Sequence, residues 1–304
     1  MIVMKTLGSL ILLICIFSIS LFGQNVIIVV MDGARYSETF GSDSLYIPHI
    51  WNQLRPLGTI WTSFFNDGLT KTDPGHSTIA TGAWQIIDNK GLGRPKQPTV
   101  FEYFRKYTSA SENATAVVVG KRKLDILTYS VHPDYGAKYK ASSFISSNDT
   151  SVLSIVKNVL SCKQPQVIMI NLPNVDSAGH TGNWANYLAA IQIADSLIWN
   201  LWQTLQLDTT YRNTTTLFVT NDHGRHDDTH GGFKNHGDDC EGCRHIFCLA
   251  LGRGFQTHRS IKQRRTQCDI APTVGELLSF PTPLSTGTSL LRDVGSTDIK
   301  IQNK

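Results

Sequence analysis

A chain of 304 residues, 41% of them apolar and 17% charged, is long enough to bury one large core or two modest ones, and its surface must lean on Ser, Thr, Asn and Gln. The net charge of +4 comes without any block of like charge. Lys262, Arg264 and Arg265 are too few to be more than a solvated basic face, which argues against nucleic acid as a partner.

In chain order, Lys5 precedes an apolar run from Leu7 to Phe22, and the small residue Gly23 follows it. That pattern predicts a secretory signal over residues 1–23, cleaved before Gln24, and a secreted or periplasmic protein. The alternative is an uncleaved anchor, since the run nearly reaches spanning length; only then would a membrane be a partner. Cys15 falls in this leader, leaving Cys162, Cys240, Cys243, Cys248 and Cys268. An odd number in an oxidising compartment implies at least one free thiol, and the lone C-x-x-C of Cys240 and Cys243 reads as a local disulfide or loop staple, weakly as a zinc knuckle. Sequons at Asn113, Asn148 and Asn213 matter only in a eukaryotic host.

No repeat, low-complexity tract or charged linker divides residues 24–304, so one catalytic domain is expected. Strands are predicted over Asn25–Met31, Thr59–Phe65, Ala114–Val119, Val167–Leu172, Thr215–Thr220 and Ile246–Leu251, and helices over Thr99–Tyr107, Ser151–Leu160, Trp184–Leu205 and Asp269–Leu278. The longest helix carries Leu188, Ile191, Ala194, Leu197 and Leu201 on one stripe. Apolar runs alternating with helices argue an α/β fold around a mostly parallel sheet, with residues 121–147 as an irregular, cap-like insert.

In an open α/β sheet, ligands bind beyond the carboxyl ends of the strands. Three predicted strands deliver acids there: Asp32 after the first, Asp176 after Leu172, and Asp222 with His223 after Thr220. One Asp after a strand is usually a turn or a cap; three, with imidazoles attached, need another reason. Asp176 and His180 are spaced to share a metal, and Asp222 with His223 suits two neighbouring ions. Beyond them His226, His230, His236 and His245 crowd one stretch, and carboxylates with neutral imidazoles are a ligand set that zinc accepts. Thr72 stands before Pro74, with a helix expected to begin by Gly75, where unpaired amides and a partial positive charge favour an alkoxide and a phosphate oxygen. A threonine hydroxyl needs a base or a metal to become a nucleophile, and Asp32, Asp222 and His223 would hold one.

The run Lys71-Thr72-Asp73-Pro74-Gly75-His76, followed by Ile79-Ala80-Thr81-Gly82, resembles the nucleophile motif of the type I phosphodiesterase and nucleotide pyrophosphatase branch of the alkaline phosphatase superfamily. Ile86-Ile87-Asp88-Asn89 resembles that branch's downstream segment, and Asp269–Leu278 is similar to a C-terminal helix of the superfamily. The resemblance implies a three-layer alkaline phosphatase-like sandwich, a phosphorylated Thr72 and Asn89 on a phosphate oxygen, with the amide near Asp73 beside it. It further implies two zinc ions: one on Asp32, Thr72, Asp222 and His223, the other on Asp176, His180 and a later histidine, His236 by preference, with His245 and His230 as alternatives. Lys121 and Lys123, alternating after a strand, resemble the paired basic residues of threonine-dependent phosphomonoesterases and of phosphonoacetate hydrolase; otherwise they belong to an exposed basic loop.

The expected activity is metal-dependent hydrolysis of a small-molecule phosphate ester through phosphothreonine. Two ammonium groups would compensate a dianion, so a phosphomonoesterase is favoured over a phosphodiesterase, nucleotide pyrophosphatase or phosphonate hydrolase. No C-x-P-x-R motif marks a sulfatase, and phosphosugar mutases of the superfamily are usually cytosolic. From another class, a non-catalytic binding protein could keep the fold, but a decayed site typically loses ligands.

Overall fold

In the computed structural model, which describes residues 25–294, the first strand, β1 (Asn25–Met31), is buried along its whole length. Ile27, Val29 and Met31 enter one apolar cluster and Val26, Ile28 and Val30 another, which is why the run reads as continuously apolar: it is covered on both faces. The leader expected at residues 1–23 lies outside the described residues. After β1 come β2 (Gly58–Phe65), α1 (Thr72–Thr81), α2 (Val100–Thr108), β3 (Thr115–Val119), β4 (Ser142–Ile145), α3 (Asp149–Lys163), β5 (Val167–Leu172), α4 (Asn174–His180) and α5 (Trp184–Leu207). The chain continues through β6 (Thr215–Thr220), α6 (Glu241–Arg244), β7 (His245–Gly252), β8 (Arg259–Ile261), β9 (Arg265–Thr266), α7 (Ile270–Leu277) and α8 (Leu291–Val294).

The strands form one sheet in the order β4-β3-β5-β1-β6-β7-β2-β8, with β9 also on β2. β7 alone runs against its neighbours; every other pairing is parallel. Helices α3 and α5 pack over one face through Val152, Val156, Ile191 and Ile198. Helices α1, α2 and α7 cover the other through Ile79, Phe101, Phe104 and Val274. The result is the expected three-layer α/β sandwich. Because β1, β2, β3, β5 and β6 point the same way, their carboxyl ends share one edge, where residues 32, 66–72, 120–123, 173–180 and 221–223 meet.

Several expectations are corrected. Within 121–147, residues 142–145 are a strand that extends the sheet beside β3, so that part of the insert belongs to the sheet itself. Helix α1 begins at Thr72 rather than Gly75. On α5 the core stripe runs through Tyr187, Ala190, Ile191, Ala194, Ile198 and Leu201, while Leu188 and Leu197 flank it half-buried. The five cysteines of the described residues are free thiols, so Cys240 and Cys243 form no staple through sulfur. Among these residues no helix is long and apolar enough to cross a membrane.

Candidate metal centre and nucleophile

The exits of β1 and β6 are tied together before any ligand is placed. Asn221 Nδ2 donates to the Ala34 carbonyl (2.6 Å), and Asn221 Oδ1 accepts from the Phe247 amide (3.1 Å). Asp222 Oδ1 accepts from the amides of Gly33 (3.1 Å) and His223 (2.9 Å), which fixes the carboxylate. His223 Nδ1 donates to the Gly224 carbonyl (2.8 Å), leaving the lone pair on Nε2. That Nε2 lies 3.3 Å from Asp222 Oδ2 and 3.8 Å from Asp32 Oδ1. All three atoms are buried, lack a hydrogen-bond partner and lie within 4.8 Å of one another. Buried polar atoms without partners are rare and costly, and two carboxylate oxygens with one imidazole nitrogen suit a borderline divalent cation such as zinc. The donor set fits the ion that the sequence implies.

A second group adjoins it. Asp176, on α4, places Oδ1 3.3 Å from His180 Nε2 and 3.4 Å from His236 Nε2, and the two nitrogens are 3.2 Å apart. His236 Nδ1 meets the Thr70 carbonyl at 2.9 Å, so its Nε2 is the free acceptor. Burial, and then the neighbouring His223, push the His236 pKa down to about 3, so the ring is neutral. His236 stacks on His223 with centroids 3.9 Å apart, which joins the two groups. Gly33, at φ +71°, permits the crowding: a Cβ there would stand 2.8 Å from Asp176 Oδ1. The other candidate histidines are elsewhere. His245 stacks between Tyr36 and Phe65 with Nε2 on the Thr62 carbonyl, and His230 is exposed and paired with Asp227.

Lys121 joins these groups to Thr72. Its Nζ lies 2.8 Å from Asp32 Oδ2, 2.6 Å from Asp176 Oδ2 and 3.4 Å from Thr72 Oγ1. Thr72 opens α1, which presses on the Asp222 backbone so closely that a Cβ on Gly75 would fall 2.6 Å from the Asp222 carbonyl. Lys123 takes a different position: its Nζ donates to Asn89 Oδ1 (2.9 Å) and lies 3.1 Å from Asp73 Oδ1. The Asp73 amide, expected to face a phosphate oxygen, instead donates to Asn89 Oδ1 (2.9 Å). Asn89 therefore reaches the start of α1, and its Nδ2 has no partner among the described residues.

The charge is unevenly shared. Burial, then the Asp222 charge, raises the Asp32 carboxyl. Burial would also raise Asp222 and Asp176, but His223, His76 and Lys121 hold the first below the usual range, while His180, Lys121 and Arg225 hold the second well below it. Burial would lower Lys121; the surrounding carboxylates outweigh it and raise it. One ammonium faces three acids, and a bound cation would relieve that imbalance.

Three residues of the site were given no role by the sequence. Asn171, a polar residue inside an otherwise apolar strand, accepts from the Gly120 amide (3.2 Å) and donates Nδ2 to Asp32 Oδ2 (2.8 Å) and toward His76 Nε2 (3.1 Å). His76, one turn beyond Thr72, then carries its hydrogen on Nδ1, which meets the Thr72 carbonyl (2.9 Å) and lies 3.1 Å from Asp222 Oδ2. Arg225, two residues after His223, is fully buried and grips Asp176 Oδ1.

Residues 101–282, well over half of the chain, match the family model described as metalloenzyme superfamily. The chain is 30% identical over 169 residues to a 2,3-bisphosphoglycerate-independent phosphoglycerate mutase of Haloquadratum walsbyi, covering 55% of this chain and 30% of the mutase. It thus spans about a third or less of the length of the curated relatives it matches. Among solved structures, a phosphonate monoester hydrolase from Silicibacter pomeroyi superposes with a TM-score of 0.62 at 13% identity, over 90% of this chain and 78% of that one. A protein of the alkaline phosphatase superfamily from Vibrio parahaemolyticus gives 0.64 at 12% identity, over 88% and 69%. At such identities these two share the fold.

Proposed function

The chain belongs to the metalloenzyme superfamily, and we propose that it hydrolyses phosphate esters through a phosphothreonine at Thr72, with monoesters preferred. The observation that carries this reading is the trio of buried, partnerless atoms on Asp32, Asp222 and His223, joined through Lys121 to the Thr72 hydroxyl. On this reading Asp32, Asp222 and His223, with the Thr72 oxygen, would hold one divalent ion, and Asp176, His180 and His236 would hold the other. Bound there, zinc would supply Lewis-acid charge, lowering the pKa of a hydroxyl or water and drawing charge from the ester oxygens.

The chain's own groups do the rest. Thr72 Oγ1 attacks phosphorus in line, forming the Thr72–phosphorus bond as the ester oxygen departs and takes up a proton. Water then attacks the phosphothreonine, releasing phosphate and restoring the hydroxyl. Asn89 Nδ2 and Lys123 sit beside the start of α1, where the equatorial oxygens of a phosphoryl group on Thr72 would lie, and the helix N-terminus adds favourable partial charge. Lys121 faces the extra negative charge of a dianion.

The matching mutases favour a second reading, in which the phosphoryl group returns from Thr72 to an organic hydroxyl rather than to water. A substrate panel tests both: p-nitrophenyl phosphate, its diester analogue, phosphonoacetate and 3-phosphoglycerate, with products identified. Release of inorganic phosphate, fastest from the monoester, is expected; isomerised phosphoglycerate without phosphate release would favour the mutase. Replacing Lys121 with Met should lower monoester kcat/KM by roughly 10–100-fold, the scale of a charge-assisted hydrogen bond, and diester turnover less. Equal losses would remove the case for monoesters.

A further inference from the structure

The segment from Arg225 to Cys243 supplies Arg225 and His236 to the centre, yet Phe233 is the one residue in it that packs on the core clusters before the cysteines. Beside the hydrogen bonds from Arg225 to the Phe233 and Lys234 carbonyls and from the His226 amide to the Asn235 carbonyl, the segment carries a second concentration of ligand-type side chains. Cys240 caps the single turn of α6 and Cys243 sits on it, both buried, with the Cys243 amide on the Cys240 carbonyl (3.1 Å). The three-residue spacing brings the two side chains to one turn, and the Cys240 amide donates to Asp238 Oδ1 (3.1 Å). His226 Nε2 lies 3.3 Å from Asp238 Oδ2, and His226, Asp238 and Cys243 offer ligand atoms within 4.8 Å of one another. Asp227 and His230 stand near Cys240 as well, but Asp227 Oδ1 already serves the Thr229 and His230 amides and the His230 ring.

We propose that Cys240, Cys243, His226 and Asp238 hold a structural zinc ion, separate from the ions at Asp222 and Asp176. Two sulfurs on a C-x-x-C turn, one imidazole and one carboxylate make a closed tetrahedral set with no position left for substrate, as structural zinc sites have. Binding exchanges the two thiol protons for the cation and releases them to solvent. The ion's role is to pin the segment that brings Arg225 to Asp176 and His236 to His180. Gly224 and Gly242 fit this packing: the Gly224 amide donates to the Cys243 carbonyl (2.8 Å), and a Cβ on Gly242 would lie 2.5 Å from the Arg225 carbonyl.

Cobalt reconstitution of the whole protein tests the site independently of any activity. The catalytic centre contains no cysteine, so near-ultraviolet thiolate-to-cobalt charge-transfer absorption reports on the proposed site alone. Wild type should show that absorption. The C240S/C243S double variant should lose it together with one metal per chain, whereas H223A should keep it. H226Q, a milder change, should weaken metal retention if the double variant fails to fold. Absence of the absorption in wild type, its survival in C240S/C243S, or recovery of Cys240 and Cys243 as a disulfide would overturn the proposal.

Discussion

Asp32, Asp222 and Asp176 are the same side chain in three electrostatic settings, and the differences show what each is built to do. Asp222 is fixed by two backbone amides, Asp176 by a guanidinium and the Lys121 ammonium, and Asp32 by an amide side chain and the same ammonium. These acids were legible in sequence because each follows an apolar strand, a position that needs no knowledge of contacts. Of their holders only Lys121 was singled out in the sequence, and for a different role, facing the substrate's charge. Asn171, His76 and Arg225 act through distances that no spacing rule contains, although a lone Asn in an apolar strand was a signal. Arg225 offers a clean test, since breaking a buried pair by removing one partner costs about 3–5 kcal/mol. Arg225→Met should lower unfolding free energy by that order in denaturant titration and weaken metal retention. A change under about 1 kcal/mol with metal retained would show that Asp176 does not depend on it.

Among the elements, the long strands and helices were legible from periodicity, while β4, β8 and β9, of four, three and two residues, were not. Strands that short carry no alternation, and they form only because a neighbouring edge offers hydrogen bonds. The junction between α3 and α4 carries its own pH signature. Asp149, the first residue of α3, accepts from the Asn174 amide at the start of α4 (2.9 Å), while its Oδ2 is buried without a partner. Burial lifts its pKa from 3.8 to about 7. A raised folded pKa contributes stability that is whole below about 3.8 and is lost as pH rises through about 7. Asp149→Asn keeps the acceptor and removes the titration, so its stability relative to wild type should rise between pH 5 and pH 8 by on the order of 2 kcal/mol. A pH-independent difference would mean that Asp149 titrates normally.

For the whole molecule, five strand ends bring residues separated by up to 191 positions in sequence, Asp32 and His223, to within 3.8 Å. Metal should therefore act as a keystone. A ligand at a thousandfold excess over its Kd adds about 4 kcal/mol, which at this size is roughly 10 °C in Tm. Chelation should lower Tm by that order and zinc should restore it; an unchanged Tm would mean that the donor clusters bind no ion of consequence. The most direct test of the account is to quench the enzyme in acid during turnover of a phosphate monoester and map the phosphorylated peptide. Phosphate on Thr72 is the expected result, with none in Thr72→Ala, which should retain its metal and lose activity. Turnover with an unmodified Thr72, or full activity in Thr72→Ala, would contradict it.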